Sequence, residues 1–154
     1  MSTTRTWNPH VTVATVVCRD NKYLIVKELI NGQEVYNQPA GHLEPDESLI
    51  EAAKRETLEE TRWHVNIEHL LGISRYVAPS NGETYIRFSF IASATEHSET
   101  AHLDDGILEA IWLTKDEIVQ LRQALRSPMI LNDITRFEQG YKLPLCSLYD
   151  HPEN

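Results

Sequence analysis

Cysteine is nearly absent from this 154-residue chain, which carries only Cys18 and Cys146. The two stand far apart and form no CxxC pair, so the sequence indicates neither a disulfide framework nor a cysteine zinc site. A reducing, cytoplasmic setting is the simplest expectation. Glycine is also scarce, and its six positions (32, 41, 72, 82, 106 and 140) supply neither GxGxxG nor GxxxxGK. Phosphate handling by a glycine-rich loop is therefore excluded. Positive charge is in deficit, with 14 Lys and Arg against 23 Asp and Glu and a net charge of −9. That balance argues against a general affinity for nucleic acid or an anionic membrane, and it requires any anionic substrate to meet a local cation. No stretch approaches the roughly 20 apolar residues of a membrane span. The run 11–18, with Arg5 upstream, has the length of a signal-peptide core. Its β-branched composition and the second such run at 23–26, after Arg19-Asp20-Asn21, read better as a two-strand hairpin.

What remains is enough for one globular domain over residues 1–154, since 41% of the residues are hydrophobic. Periodicity predicts strands near 11–19 and 22–29, a short strand at 35–38, a helix at 47–61, and long strands near 65–77 and 84–94. A polar loop from His97 to Gly106 precedes a strand at 107–113 and helices near 115–125 and 128–139. Thr114 suits a helix start, and Pro128 suits the first turn of the last helix. Strands outnumber helices without alternating evenly with them, which favours a mixed sheet flanked by helices, an α+β fold, over a doubly wound one.

The chemistry concentrates on the predicted helix at 47–61. Glu56, Glu59 and Glu60 stand at i, i+3 and i+4 and so share one face. The same face, followed back, carries Leu49, Ala52 and Ala53, while Glu51 and Lys54 point elsewhere. A merely solvated acidic face would lie opposite the apolar stripe; these acids lie on it. Three like charges at this spacing repel by roughly a few tenths of a kcal/mol per exposed pair, and by more when buried. Something positive should sit among them. Arg55 is adjacent, but it lies about 100° from Glu56 around the axis and points toward Glu51 and Glu47. A hard divalent cation, Mg²⁺ or Mn²⁺, is the better candidate for an all-oxygen site. The turn 38–41 could add a backbone carbonyl, from Gly41.

The spacing Gly41, Glu47, Arg55-Glu56, Glu59-Glu60 resembles the box of the Nudix family, GX5EX7REUXEEXGU with U aliphatic. Six such matches arise by chance in about one of 10⁵ chains this long. Two positions depart from the pattern: Thr57 stands where an aliphatic is usual, and Arg62 where glycine is usual. Glycine there suits a left-handed residue closing the helix, and arginine in that geometry costs on the order of 1 kcal/mol. Beyond the box, residues 10–17, 37–44 and 87–90, Trp112 and Arg126-Ser127-Pro128 look like the NudJ-type phosphatases of that family, a likeness running from about residue 8 to 145.

The resemblance implies an α/β/α sandwich with a mixed sheet and a Mg-dependent hydrolase of small organic pyrophosphates. NudJ-type members are described as releasing orthophosphate from nucleoside di- and triphosphates and from hydroxymethylpyrimidine pyrophosphate, a compound of the thiamine pyrophosphate pathway. It implies that Glu56, Glu59 and Glu60 hold metal, that Glu59 or Glu56 takes a proton from water, and that Arg55 and Glu47 brace the box. Asp104, Asp105 and Glu109 are alternative outside acids. Tyr36, Tyr76 and Trp7 are candidates to stack on a heterocycle, and Gln38, Arg75 and Arg87 to contact substrate. Arg87 shares the polar face of an alternating strand with Tyr85 and Ser89. Two alternatives share the cluster: a Nudix pyrophosphatase for ADP-ribose or dinucleoside polyphosphates, and a nucleotide sensor that does not turn over. Family members of this size occur as monomers and homodimers.

Overall fold

A computed structural model of the protein describes residues 6–152. Arg5, the basic residue weighed as part of a signal segment, lies outside them. The apolar runs form the expected hairpin, β1 (His10–Arg19) and β2 (Lys22–Ile30), paired antiparallel through Cys18 with Tyr23 and Arg19 with Lys22. Its two-residue turn places Asp20 and Asn21 at φ 51° and 59°, the left-handed pair that two-residue hairpins require. β3 (Gln33–Asn37) pairs with β2, and β5 (Trp63–Val77) pairs antiparallel with β6 (Thr84–His97). β1 and β6 run parallel, with Thr12 opposite Arg87. The strand order is β3-β2-β1-β6-β5, with β7 (Ile107–Leu113) also on β2. The sheet is therefore mixed.

Beyond the hairpin turn, β1 exchanges its hydrogen bonds with a three-residue strand, β4 (Ala40–His42), that the sequence reading treated as a turn. Three residues are too few for a periodic signal, and Pro39 made the segment look like a break. β4 brings Gly41 and His42 against the first helix.

That helix, α1 (Leu49–Thr61), covers one face of the sheet, where Ala52 and Ala53 pack with Val13, Val17 and Phe90. It starts two residues later than predicted because Ser48 caps it, accepting from Glu51 N–H while the Glu51 carboxylate accepts from Ser48 N–H. The opposite face carries α2 (Lys115–Gln120) and α3 (Met129–Glu138), whose Ile118, Ile130 and Ile134 pack on Val16, Ile25 and Leu71. The layers form the α/β/α sandwich. Thr114 caps α2 as expected, but the helix predicted to run to 125 gives way to a 3₁₀ turn at Arg122–Ala124. Pro128 sits one position before the first turn of α3, at its cap.

Both departures from the box pattern are accommodated. Thr57 is fully buried; its hydroxyl donates to Ala53 C=O at 2.7 Å and lies 2.9 Å from the Thr15 hydroxyl of β1. Arg62 adopts the left-handed conformation (φ 63°, ψ 11°) that glycine would take, and its N–H closes α1 on Leu58 C=O.

Candidate active site

The C-terminal half of α1 presents its acids toward β4 and the segment before β7. Glu56, Glu59 and Asp104 each offer a carboxylate oxygen within 4.8 Å of the others. Of the three outside acids considered from the sequence, Asp104 is the one brought into this group. Gly41 abuts Glu56 so closely that a Cβ there would fall 2.1 Å from the Glu56 carboxyl carbon. Any other residue would displace that carboxylate, which gives the box glycine its physical reason. All-oxygen donors crowded in this way fit a hard divalent cation such as Mg²⁺ or Mn²⁺.

Burial raises the Glu56 carboxyl above its usual range, and burial with the nearby Asp104 charge raises Glu59. Glu60 behaves differently. It is 6% exposed, lies outside the three-carboxylate group, and accepts from Ala40 N–H at 2.7 Å. Burial pushes its carboxyl up to about 9.

Arg55 corrects the sequence reading. It forks onto Glu47 as expected (2.7 and 2.9 Å), but its Nη1 also donates to Glu56 at 2.9 Å and to Glu59 at 3.1 Å. It does not pair with Glu51, which is occupied in the helix cap. The 100° offset describes where the Cβ points; the three-carbon stem and guanidinium swing back to the carboxylates. Arg55 also donates to His42 C=O at 3.0 Å, tying α1 to β4. The fork on Glu47 holds Arg55 firmly charged and draws the Glu47 carboxyl below its usual range. One cation thus serves four glutamates, since Glu44 is also 3.6 Å away.

On the far side of β4 opens a cleft of about 570 Å³, lined by Gly41 and His42 and by Thr12, Asn37, Tyr76, Tyr85, Arg87 and Arg126. Arg87 and Tyr85 project into it from one face of β6, and the third residue of that face, Ser89, donates to Asp133 of α3 at 2.6 Å. The face is cleft floor rather than open surface. Arg87 is 6% exposed, and its Nε and Nη1 have no hydrogen-bond partner among the described residues. Desolvation lowers its pKa from the usual arginine range. Arg126 is anchored to the buried Glu28 at 3.2 Å.

Two other substrate candidates are elsewhere. Tyr36 packs into the core beneath α2 and α3, its C=O accepting from Arg126 N–H. Gln38 donates to Asp133 at 3.0 Å and points away from the cleft, into a gap between β1, β2 and α3. Both alternated into the interior because β3 closes on β2 and on the residues before α3. Trp7 and Arg75 are exposed and outside the lining. At the mouth, His10 stacks on Tyr85 (4.7 Å between centroids), its Nδ1 is 3.0 Å from His42 Nε2, and its Nε2 pairs with Glu83. The sequence reading missed this chain of contacts, whose members meet only through the parallel β1–β6 register and the antiparallel β1–β4 pairing. Burial lowers the His42 pKa.

A half-buried carboxylate group, braced by arginine, beside an arginine-floored cleft on an α/β/α sandwich, defines a hydrolase of the Nudix class. Residues 8–132 match the family model described as NUDIX domain, and the chain belongs to that family. In particular, it is 40% identical over 144 residues to Phosphatase NudJ of Escherichia coli strain K12, covering 94% of this chain and 93% of that one. A NUDIX hydrolase from Nitrosomonas europaea has the same structure at a TM-score of 0.91 and 41% identity, over 94% of this chain and 98% of that one. An ADP-ribose pyrophosphatase from Streptococcus suis shares the fold at a TM-score of 0.65 and 14% identity, over 86% and 94% of the two chains. The fold alone does not choose a substrate.

Proposed function

We propose that the protein is a Mg²⁺-dependent phosphatase, with Mn²⁺ as a substitute, that hydrolyses the terminal diphosphate link of a small organic pyrophosphate to release orthophosphate. Nucleoside di- and triphosphates and hydroxymethylpyrimidine pyrophosphate are the candidate substrates, in keeping with the similarity to Phosphatase NudJ. The carrying observation is the convergence of Glu56, Glu59 and Asp104 within 4.8 Å, with Glu60 one turn further on.

Bound there, Mg²⁺ would neutralise phosphate oxygens and acidify an attacking water. The chain's own groups do the rest. Glu56, Glu59 and Asp104 would hold the ion, with Glu60 of α1 as the fourth candidate ligand. Glu59, at 37% side-chain exposure the most open of the box acids around Arg55, takes the water's proton. Arg55, braced by Glu47, keeps Glu56 and Glu59 aimed together, and Gly41 leaves room for them. Arg87 supplies unpaired donors to substrate oxygens, and Tyr76 offers a flat surface to the organic group. The chain 1–154 works as one domain, in the cytoplasm, as a monomer or homodimer.

The test is a phosphate-release screen with Mg²⁺ over nucleoside di- and triphosphates, hydroxymethylpyrimidine pyrophosphate, ADP-ribose and dinucleoside polyphosphates. Orthophosphate from a diphosphate is the expected product. Mononucleotide plus sugar phosphate from ADP-ribose, with no orthophosphate elsewhere, overturns the reading, as does tight binding without turnover.

A further inference from the structure

Asp104 sits in the irregular segment 98–106 between β6 and β7, and its side chain is solvent-exposed. No helix or strand of its own fixes it beside Glu56 and Glu59. The far end of the segment is held by Leu29 N–H donating to Gly106 C=O at 2.8 Å and by Ile107 N–H donating to Asp104 C=O at 3.1 Å, and three further hydrogen bonds tie the segment to the end of α1. Asp104 N–H donates to Glu59 C=O at 3.0 Å, Ser98 N–H donates to Arg62 C=O at 2.8 Å, and Arg62 Nε donates to Ala101 C=O at 2.7 Å. The anchors fall at every third residue of the segment, and Arg62 makes two of them. Ser98 Oγ accepts from Ala101 N–H at 3.1 Å, so the two residues held by Arg62 are also held to each other.

Arg62 occupies a left-handed backbone position, which disfavours any residue with a side chain. Its backbone N–H and C=O make the helix and segment bonds that a glycine would also make. Only the guanidinium adds something glycine lacks, and what it adds is the middle anchor.

We propose that Arg62 is a positioning residue, tethering segment 98–106 to the end of α1 so that Asp104 is presented to Glu56 and Glu59 as the third carboxylate. The geometric part stands without the proposed function; the catalytic consequence rests on it. A tether of this kind acts on the ligand set from outside, where loss of a supporting partner lowers metal affinity or activity by about 10- to 100-fold.

The experiment compares Arg62→Gly, Arg62→Lys, Asp104→Asn and the Arg62→Gly/Asp104→Asn double variant. Arg62→Gly relieves the left-handed backbone, so it folds and melts at or above the wild-type temperature. In the metal-free protein its amides at 99–104 exchange about tenfold faster, while those of β1 and β6 are unchanged. Calorimetric Mn²⁺ affinity and kcat each fall about tenfold, KM for substrate stays within twofold, and Arg62→Lys recovers part of the loss. In the Asp104→Asn background, Arg62→Gly adds less than twofold. Wild-type exchange at 99–104 in Arg62→Gly, or fully additive losses in the double variant, overturns the tether. Faster exchange in Arg62→Gly with undiminished Mn²⁺ affinity in Asp104→Asn overturns instead the reading of Asp104 as a ligand.

Discussion

Replacing Glu60 by Gln should make the metal-free protein more stable at alkaline pH and remove part of its pH dependence. Glu60 is 6% exposed, and its carboxyl is pushed from an ordinary 4.5 up to about 9. Below pH 4.5 both the folded and the unfolded chain carry the proton, and the neutral group's contribution to stability is fully present. Between 4.5 and 9 the unfolded chain releases the proton and the folded chain keeps it, so stability falls as pH rises. The slope reaches at most about 1.4 kcal/mol per pH unit, or about 3 kcal/mol between pH 6 and pH 8. Water entry and relaxation at the helix end bring the expected difference to about 1–2 kcal/mol. Gln keeps an acceptor for Ala40 N–H and cannot ionise. Urea denaturation with a chelator present, at pH 6 and pH 8 and followed by tryptophan fluorescence, measures the difference. Other titrating groups cancel between the two proteins. Wild type should lose about 1–2 kcal/mol more than Glu60→Gln over that interval, and saturating Mg²⁺ should stabilise wild type more than the variant at pH 8. Parallel stability profiles, or a Gln variant weaker than wild type at pH 8, would refute the argument.

Glu59→Gln should abolish most Mg²⁺-dependent phosphate release, by at least about 10²-fold if Glu59 takes the water's proton; near-wild-type turnover in the purified variant removes that assignment. Arg55→Lys should lower kcat by about 10- to 100-fold, because a lysine ammonium cannot fork onto Glu47 while also reaching Glu56 and Glu59; an unchanged kcat would make Arg55 dispensable. Thr57→Val should cost about 1–2 kcal/mol in chemical denaturation by stranding the buried Thr15 hydroxyl, and adding Thr15→Val should restore part of it. Equal, additive losses from the two changes would show that the hydroxyls do not interact.

The hairpin, the Thr114 helix start and the box were legible because each rests on neighbours in sequence. The β-branched runs separated by Asp20-Asn21, the Thr114 cap and the i, i+3, i+4 acids all act within a turn or two. The alternation of Tyr85, Arg87 and Ser89 was equally readable as one polar face of a strand, but only the folded chain shows that this face meets the cleft and α3 rather than solvent. Long-range placement was not. Asp104 could be named beside Asp105 and Glu109, but only the docking of 98–106 on α1 selects it. Tyr36 and Gln38 look like substrate contacts until β3 folds them inward. Arg55 was misjudged because a wheel angle locates a Cβ and not the end of a long side chain. Glu60 shares a face with Glu56 and Glu59, yet one further step along the helix turns it toward Ala40 and into the interior. Arg62 and Thr57, which break the box pattern, show why a pattern can bend. The helix exit keeps its left-handed geometry at a backbone cost, and the buried hydroxyl finds a partner on β1.

The most direct test is anomalous diffraction from a crystal of the protein grown with Mn²⁺. A peak among the carboxylates of Glu56, Glu59 and Asp104, at metal–oxygen distances of about 2.0–2.3 Å, is the predicted result. A crystal saturated with Mn²⁺ in which those side chains turn to bulk water and no peak lies near them would contradict the account.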